Sequence, residues 1–513
     1  MGKEKDKEKE TAKEVVEEVK AETTAEAKKE APKAGFDCKA FLDKQVCGFK
    51  VLHILCALCV LVLVVLALSC CGGGKDISYP LVYKTSEGDI MLLNEKGKEK
   101  DAVKLASEGS VNVKYANTTN RYLIFRKNGS LYLYDAKAKE ETSKIVSDAS
   151  TAYWTPNDKY IIALDDNNTL YSVVPGKEKE KLESEVSDIV GYTDDKIVYK
   201  KDDNLYIRSL KAKKDDRKKI VSDYRSAAFE LDGKVVIYVD DENNLYSYSV
   251  SKDKAEKISK DVEDFTCGEE SCAKVLYSVV EDEDMDVYIY NGKKSTKILK
   301  ETAELEDFDL ENELFLYTKD GVLYFQKGDK DPYKIGEDIA GASFLGSEAV
   351  YYKNDDADLY IAKISGKKLK TAKKLAEDVQ GSVIPMDGKL AFVTDLDDNK
   401  CGDLYIATTS KAKKIDTDVY RSVSPNKDGS ILYYTKNYDG TSGDFYYTKG
   451  GKGKKIDTDV HSVTYIKDDL IYYLKDYSSS KSRGDLYRYT GSKGKKVAES
   501  VQYMSQPPVE KEY

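Results

Sequence analysis

Side chains able to do chemistry are unevenly represented in this chain. Carboxylates are plentiful: Asp and Glu number 92 against 82 Lys and Arg, giving a net charge of -10. The heptapeptide "KKIDTDV" occurs twice, at Lys413–Val419 and Lys454–Val460. It sets Asp416 and Asp418, then Asp457 and Asp459, at matched places. Paired acids can hold a cation, work as general acid and base, or cap turns. Imidazoles are scarce, with two His in 513 residues, His53 and His461. A His-based zinc site or a Ser–His triad therefore lacks its central residue. "DLDDN" (Asp395–Asn399) has the flavour of a calcium loop, but Lys400 stands where Gly is needed and no Glu closes it. "GTSGD" (Gly440–Asp444) departs from the nucleophile elbow G-x-S-x-G. No catalytic residue, cofactor or metal ligand is assigned. An acidic balance also argues against a nucleic-acid partner. "CGEESC" lets Cys267 and Cys272 close a small disulfide loop in an oxidising compartment.

The repeated heptapeptide belongs to a longer series. The pattern Lys–(Ile, Leu or Val)–x–x–acid starts at Lys104, Lys144, Lys181, Lys219, Lys257, Lys297, Lys334, Lys374, Lys414 and Lys455. A variant with Ser500 for the acid starts at Lys496, so eleven copies stand 37 to 41 residues apart. The recurring acids are Glu108, Asp148, Glu185, Asp223, Asp261, Glu301, Asp338, Asp378, Asp418 and Asp459. Before every copy but the first lies an apolar residue followed by Tyr, such as Leu131–Tyr132, Leu404–Tyr405 and Leu486–Tyr487. Before that lies an apolar run such as "VVIYV" or "ILYYT", with turn signals such as "KNG" and "DDNN" between the two. The 40 Tyr suit strands with one apolar face and one wet edge. Each unit thus reads as four short strands, and a series of such units is a β-propeller. The expected fold is all-β, with about eleven four-stranded repeats spanning 80–505. Eleven exceeds the usual blade number, so two rings, 80–300 and 301–505, are favoured over one.

"WTPNDKYIIAL" (Trp154–Leu164) resembles the W-S-P-D-G-K-x-I-A signature of TolB-type, WD-repeat-like propellers. Further versions are "SPNKDGSILYY" (Ser424–Tyr434), "PMDGKLAFV" (Pro385–Val393) and "LDGKVVIY" (Leu231–Tyr238). The last unit also resembles the tyrosine-rich YWTD propellers. The resemblance covers residues 80–505 and implies a fold; it brings no function with it. The first repeat enters at its second strand (Pro80–Lys84), and Glu499–Met504 reads as a first strand that completes it. Such closure removes a free edge.

In a propeller blade the recurring acid leads into the same face as the turn between strands two and three. Lys-rich turns, such as "GKGKK" from Gly451, fall on the opposite face. A disc with one acidic and one basic face is expected. Turn capping takes precedence over a ligand role for each acid taken singly.

Residues 1–48 form a charged, low-complexity tail that stays solvated. Residues 49–71 contain "VLHILCALCVLVLVVLALS", 19 residues that are apolar except for His53. As a helix they extend about 28 Å, enough to cross a bilayer. "LALSCCGGG" (Leu66–Gly74) is similar to the end of a bacterial lipoprotein signal at Cys70, but the preceding leader is too long. A retained signal anchor is the preferred reading. Lys33, Lys39, Lys44 and Lys50 upstream place the N-terminus in the cytoplasm and the repeats outside. Residues 506–513 form a short tail.

The functional expectation is a single-pass protein of the cell membrane. Its extracytoplasmic propeller is a non-catalytic binding or scaffold module for a protein, peptide or glycan. The alternatives are a propeller lyase or hydrolase with carboxylates at the ring mouth, or an envelope sensor or lipoprotein.

Overall fold

The computed structural model describes residues 45–46, 49–50, 81–93, 102–107, 113–116, 121–136, 142–211, 216–268, 271–281, 284–299, 303–467 and 470–505. The chain divides into Met1–Gly74 and Lys75–Tyr513. In the first unit, strands Gln45–Val46 and Phe49–Lys50 pair antiparallel. The rest of the expected span 49–71 and of the charged tail 1–48 lies outside the described residues, as does 506–513. Among the described residues no helix is long and apolar enough to cross a membrane.

The second unit is built from strands and turns. Seven sheets follow one another in the chain, each with four strands in sequence order, the seventh carrying one short extra strand. The second, for example, runs Ala149–Trp154, Ile161–Asp165, Leu170–Val173, Lys179–Glu183. The remaining strands make one ribbon of 13. In that ribbon the strands Ala412–Pro425, Lys454–Lys467 and Lys495–Ser505 each end one four-stranded unit and begin the next. Counted this way, the described residues form eleven four-stranded antiparallel units, in keeping with a β-propeller.

The two sequence marks are two rungs of one ladder. The Tyr of each apolar–Tyr pair lies between a strand-two residue and the Lys of strand four. Examples are Tyr434–Tyr446–Lys455, Tyr199–Tyr206–Lys219 and Phe392–Tyr405–Lys414. In the first unit Met91 takes this place between Tyr83 and Lys104. The rings stack, with centroids 5.5 Å apart for Tyr434–Tyr446 and 5.1 Å for Tyr238–Tyr246. Stacked cross-strand aromatic pairs each contribute about 0.5–1.5 kcal/mol beyond their burial. Where an acid stands just before the apolar–Tyr pair, the Lys pairs with it: Lys104–Asp89 at 2.7 Å, Lys374–Asp358 at 2.7 Å, Lys455–Asp444 at 2.9 Å. The residue after this Lys is a bulge, so Leu404 faces Asp416 and Ile415 is left over.

Units pack through apolar clusters, and each cluster joins two consecutive units. Leu299 and Ala303 share a cluster with Leu276 and Phe315, across the point near residue 300 where a division into two rings was expected. The packing shows no break there. A last cluster joins Leu470, Leu474 and Leu486 of the eleventh unit to Leu81, Tyr83 and Leu93 of the first. Trp154, the aromatic of the resemblance motif, is buried and donates Nε1–H to the Lys114 carbonyl of the preceding unit at 3.2 Å.

The C-terminal strand completes the first unit: Val82, Tyr83 and Lys84 pair with Ser505, Met504 and Tyr503. Truncation after Ser500 is expected to leave the Leu81–Thr85 edge open and strip Val501 and Met504 from the closing cluster. Size exclusion and denaturant titration should show self-association and a lowered midpoint. Truncation after Ser505 should show neither; equal behaviour of the two chains would contradict the closure.

Candidate functional site

The recurring acids sit at one conformationally special place. Asp148, Glu185, Asp223, Asp261, Asp338, Asp378, Asp418 and Asp459 all have φ between 49° and 60°, as does Ser500 in the last copy at 54°. This left-handed region is unfavourable for most side chains and tolerated by Asp, Asn and Gly. It turns the chain from the outer strand of one unit into the first strand of the next. The following residue then drops into the core: Ala149, Val186, Val262, Val379, Val419, Val460 and Val501 are all buried. The acids themselves are exposed. Glu108 and Glu301 lie outside the described residues.

The backbone fixes which face these turns occupy. Asp166 N–H donates to the Asp148 carbonyl at 2.7 Å, and Ala149 N–H to the Gly129 carbonyl at 2.8 Å. Val186–Asn168 and Val379–Ala357 repeat the second contact. The acid turns therefore share a face with the hairpins between strands two and three. Those hairpins are themselves acidic, and their carboxylates are largely committed to turn geometry. Asp165 Oδ1 accepts from Asn167 N–H and Thr169 N–H at 3.0 and 2.8 Å, and Asp240 Oδ1 accepts from Glu242 N–H and Asn244 N–H. In "DLDDN", Asp397 Oδ1 accepts from Cys401 N–H at 2.8 Å and Lys400 is left-handed. Among the described residues no group of three or more His, Cys, Asp or Glu is placed to hold a metal ion.

On the opposite face the other two kinds of turn meet. Val250 N–H donates to the Lys234 carbonyl and Ile364 N–H to the Glu348 carbonyl, both at 2.8 Å. Lys252, Lys293, Lys294, Lys367, Lys411, Lys452 and Lys493 are exposed there. The expectation of a basic face needs correction, because acids are interspersed: Asp232 pairs with Lys234, Asp253 with Lys218, Asp329 with Lys330. The acidic face is likewise relieved in places, by Lys201 near Glu185 and Lys260 near Asp261.

The first acid of the heptapeptide has a different role, which sequence reading missed. Asp416 ends the ninth unit and reaches into the tenth. Its Oδ2 accepts from the Tyr434 hydroxyl at 2.7 Å, its Oδ1 from Lys436 Nζ at 2.6 Å and from Thr417 N–H at 2.9 Å. Asp457 repeats the clasp with Tyr473 at 2.7 Å, Lys475 at 2.8 Å and Thr458 N–H at 2.8 Å. Glu183 makes a longer-armed version with Tyr199, Lys201 and Arg217. Burial alone would raise the Asp416 and Asp457 carboxyls; hydrogen bonds from the Lys and Tyr outweigh it and hold both below the usual carboxylate range. The available signal was Tyr-x-Lys in strand two, 18 and 20 residues after Asp416 and 16 and 18 after Asp457.

Buried tyrosines give the fold an alkaline limit. Burial, foremost, pushes Tyr224, Tyr238, Tyr317 and Tyr472 up to about 12. A raised folded pKa means stability fully present below the unfolded value of about 10 and lost as pH rises towards the folded value. Titration at 295 nm should therefore show a tyrosine class that ionises well above pH 10, together with unfolding. Uniform ionisation near pH 10 in the folded protein would contradict this burial.

The lone imidazole of this unit lies on the strand Lys454–Lys467, not in a loop. His461 stacks on Tyr477 with centroids 3.6 Å apart, and its Nδ1 lies 2.7 Å from the Thr441 carbonyl. Cys267 and Cys272 form a disulfide with Cα atoms 4.8 Å apart, and Cys401 is free and buried.

No family model matches the chain, and no curated protein matches it. Among solved structures, one described as the eukaryotic initiation factor is 10% identical with a TM-score of 0.41, covering 83% of this chain and 97% of that one. The tricorn protease is 14% identical with a TM-score of 0.27; the match spans 83% of this chain and 53% of that one. Hsv2 of Kluyveromyces lactis is 12% identical with a TM-score of 0.31, over 51% of this chain and 98% of that one.

Proposed function

We propose that the chain is a non-catalytic binding or scaffold module whose eleven units form one closed propeller ring of the TolB-like, WD-repeat-like kind. Residues 49–71 tether the ring to a cell membrane with the N-terminus in the cytoplasm. The acidic face points away from the lipid and receives a protein or peptide partner. The observation that supports this most directly is the set of eight exposed acids at equivalent left-handed turns. Their backbone geometry is what the fold requires; Gly would supply it equally well, so the turn itself does not need the charge. The cycle of inter-unit clusters, closed by Leu470 against Leu81, supports one ring over two. The strand Leu81–Thr85 begins, and Lys495–Ser505 ends, at the lysine-bearing face.

Asp→Gly substitution at residues 148, 223, 338, 378 and 418 removes five charges and keeps the left-handed turns. The variant should keep its denaturation midpoint, and a partner captured by the wild-type chain should be lost from it. A partner retained equally by both would overturn the assignment of the face. Protease added to intact cells should remove the repeats; protection would overturn the topology.

A further inference from the structure

A cavity of about 610 Å³ lies between the sixth and seventh units, where their first strands end on the lysine-bearing face. Thr266, Cys267 and Gly268 form one wall, and Asp307 to Glu311 form the other. This volume falls in the range of sites that enclose a side chain or small ligand, about 300–1,000 Å³. We propose that it is a pocket for an arginine side chain presented by a partner polypeptide. The inference rests on the reading of the chain as a binding module, and it names a second surface and its chemistry.

Three features select that occupant. The first is an aromatic face at the mouth: Phe308 is 37% exposed on a strand where neighbouring apolar groups are covered, and a guanidinium stacks well on such a ring. The second is charge: the lining residues include Asp307, Asp309 and Glu311 and no base. The third is rigidity. Asp307 Oδ2 accepts from Ser343 Oγ at 2.6 Å and Phe344 N–H at 2.8 Å, and its Oδ1 from Phe308 N–H at 2.8 Å. Asn312 holds Asp309 through its N–H at 3.0 Å and its Nδ2 at 2.7 Å. Lys274 is drawn to the Glu311 carbonyl at 2.8 Å and to Glu313 at 3.1 Å. The Glu311 carboxylate enters no hydrogen bond or ion pair among the described residues, which leaves it to pair with an incoming guanidinium. On the opposite wall Cys267 is joined by a disulfide to Cys272, and Ser271 Oγ donates to Glu230 at 2.8 Å.

A planar fork over a ring and beside a carboxylate is better matched by Arg than by Lys. The test is calorimetric titration of the full chain with a blocked Gly–Arg–Gly peptide, and with its Lys and Glu counterparts. The Arg peptide should bind more tightly than the Lys peptide, and the Glu peptide should not bind. Phe308→Ala and Glu311→Gln should each weaken Arg binding, by roughly fivefold or more. The glycine variant of the acidic face should bind the Arg peptide as the wild type does. No binding by the wild type, or equal binding by both pocket variants, would overturn the pocket and leave the acidic-face reading standing. Loss of Arg binding in the glycine variant would place the site on the other face and overturn it too.

Discussion

Asp416→Ala is expected to lower the unfolding free energy by about 3 kcal/mol, whereas Asp418→Gly, two residues along, should change it by less than about 0.5 kcal/mol. The two aspartates share one heptapeptide and hold unrelated positions. The Asp416–Lys436 side chains are 18% and 15% exposed, so truncating the acid leaves an ammonium and a tyrosine hydroxyl largely buried without their partner. Asp418 is exposed, and its φ of 56° costs a side chain about as much as Gly adds in unfolded-chain entropy. Protonation should reproduce the first effect. The Asp416 carboxyl is held below its ordinary value, so its contribution is present above the unfolded pKa of about 4 and disappears as pH falls through the folded one. The gap between wild type and Asp416→Ala should therefore narrow in denaturant titrations below about pH 4. Equal losses from Asp416→Ala and Asp418→Gly would remove the clasp from consideration.

Gly453→Ala should be nearly as costly, at about 2–4 kcal/mol, although it adds one methyl group. A Cβ at residue 453 would fall 1.6 Å from the Tyr434 hydroxyl oxygen, 2.8 Å from its Cζ and 3.0 Å from Asp416 Oδ2. The ring cannot retreat, because it is buried and stacked on Tyr446. Gly494 stands in the same relation to Tyr473 and Asp457, with the hydroxyl oxygen at 1.8 Å, so Gly494→Ala should lose a similar amount. Removing the hydroxyl makes room. The double variant Tyr434→Phe with Gly453→Ala should thus be more stable than the sum of the two single losses implies. Simple additivity in unfolding midpoints would contradict the contact.

The fold was largely legible because its period is written in residues that do local work. The Lys of each Lys–Ile mark is the one placed opposite the Tyr, so two marks 9 to 14 residues apart record one cross-strand ladder. Asp148 and its equivalents were legible as turn residues for the same reason: one backbone conformation admits few residue types. Asp416 was not legible, because its partners are on the next unit and its hydrophobic counterparts elsewhere, such as Val146 and Val221, fill the same register place. The pocket at Phe308 was invisible to periodicity, since it arises where two first strands end beside a disulfide loop. The two-ring expectation came from the usual number of blades; the inter-unit clusters run through residue 300 without interruption.

The proposed single closed ring is tested most directly by electron microscopy of the purified full chain, averaged in the face-on view. Eleven lobes around one opening, with the C-terminal strand sealing the first lobe, is the predicted projection. Two smaller discs, or an open arc of lobes, would contradict it.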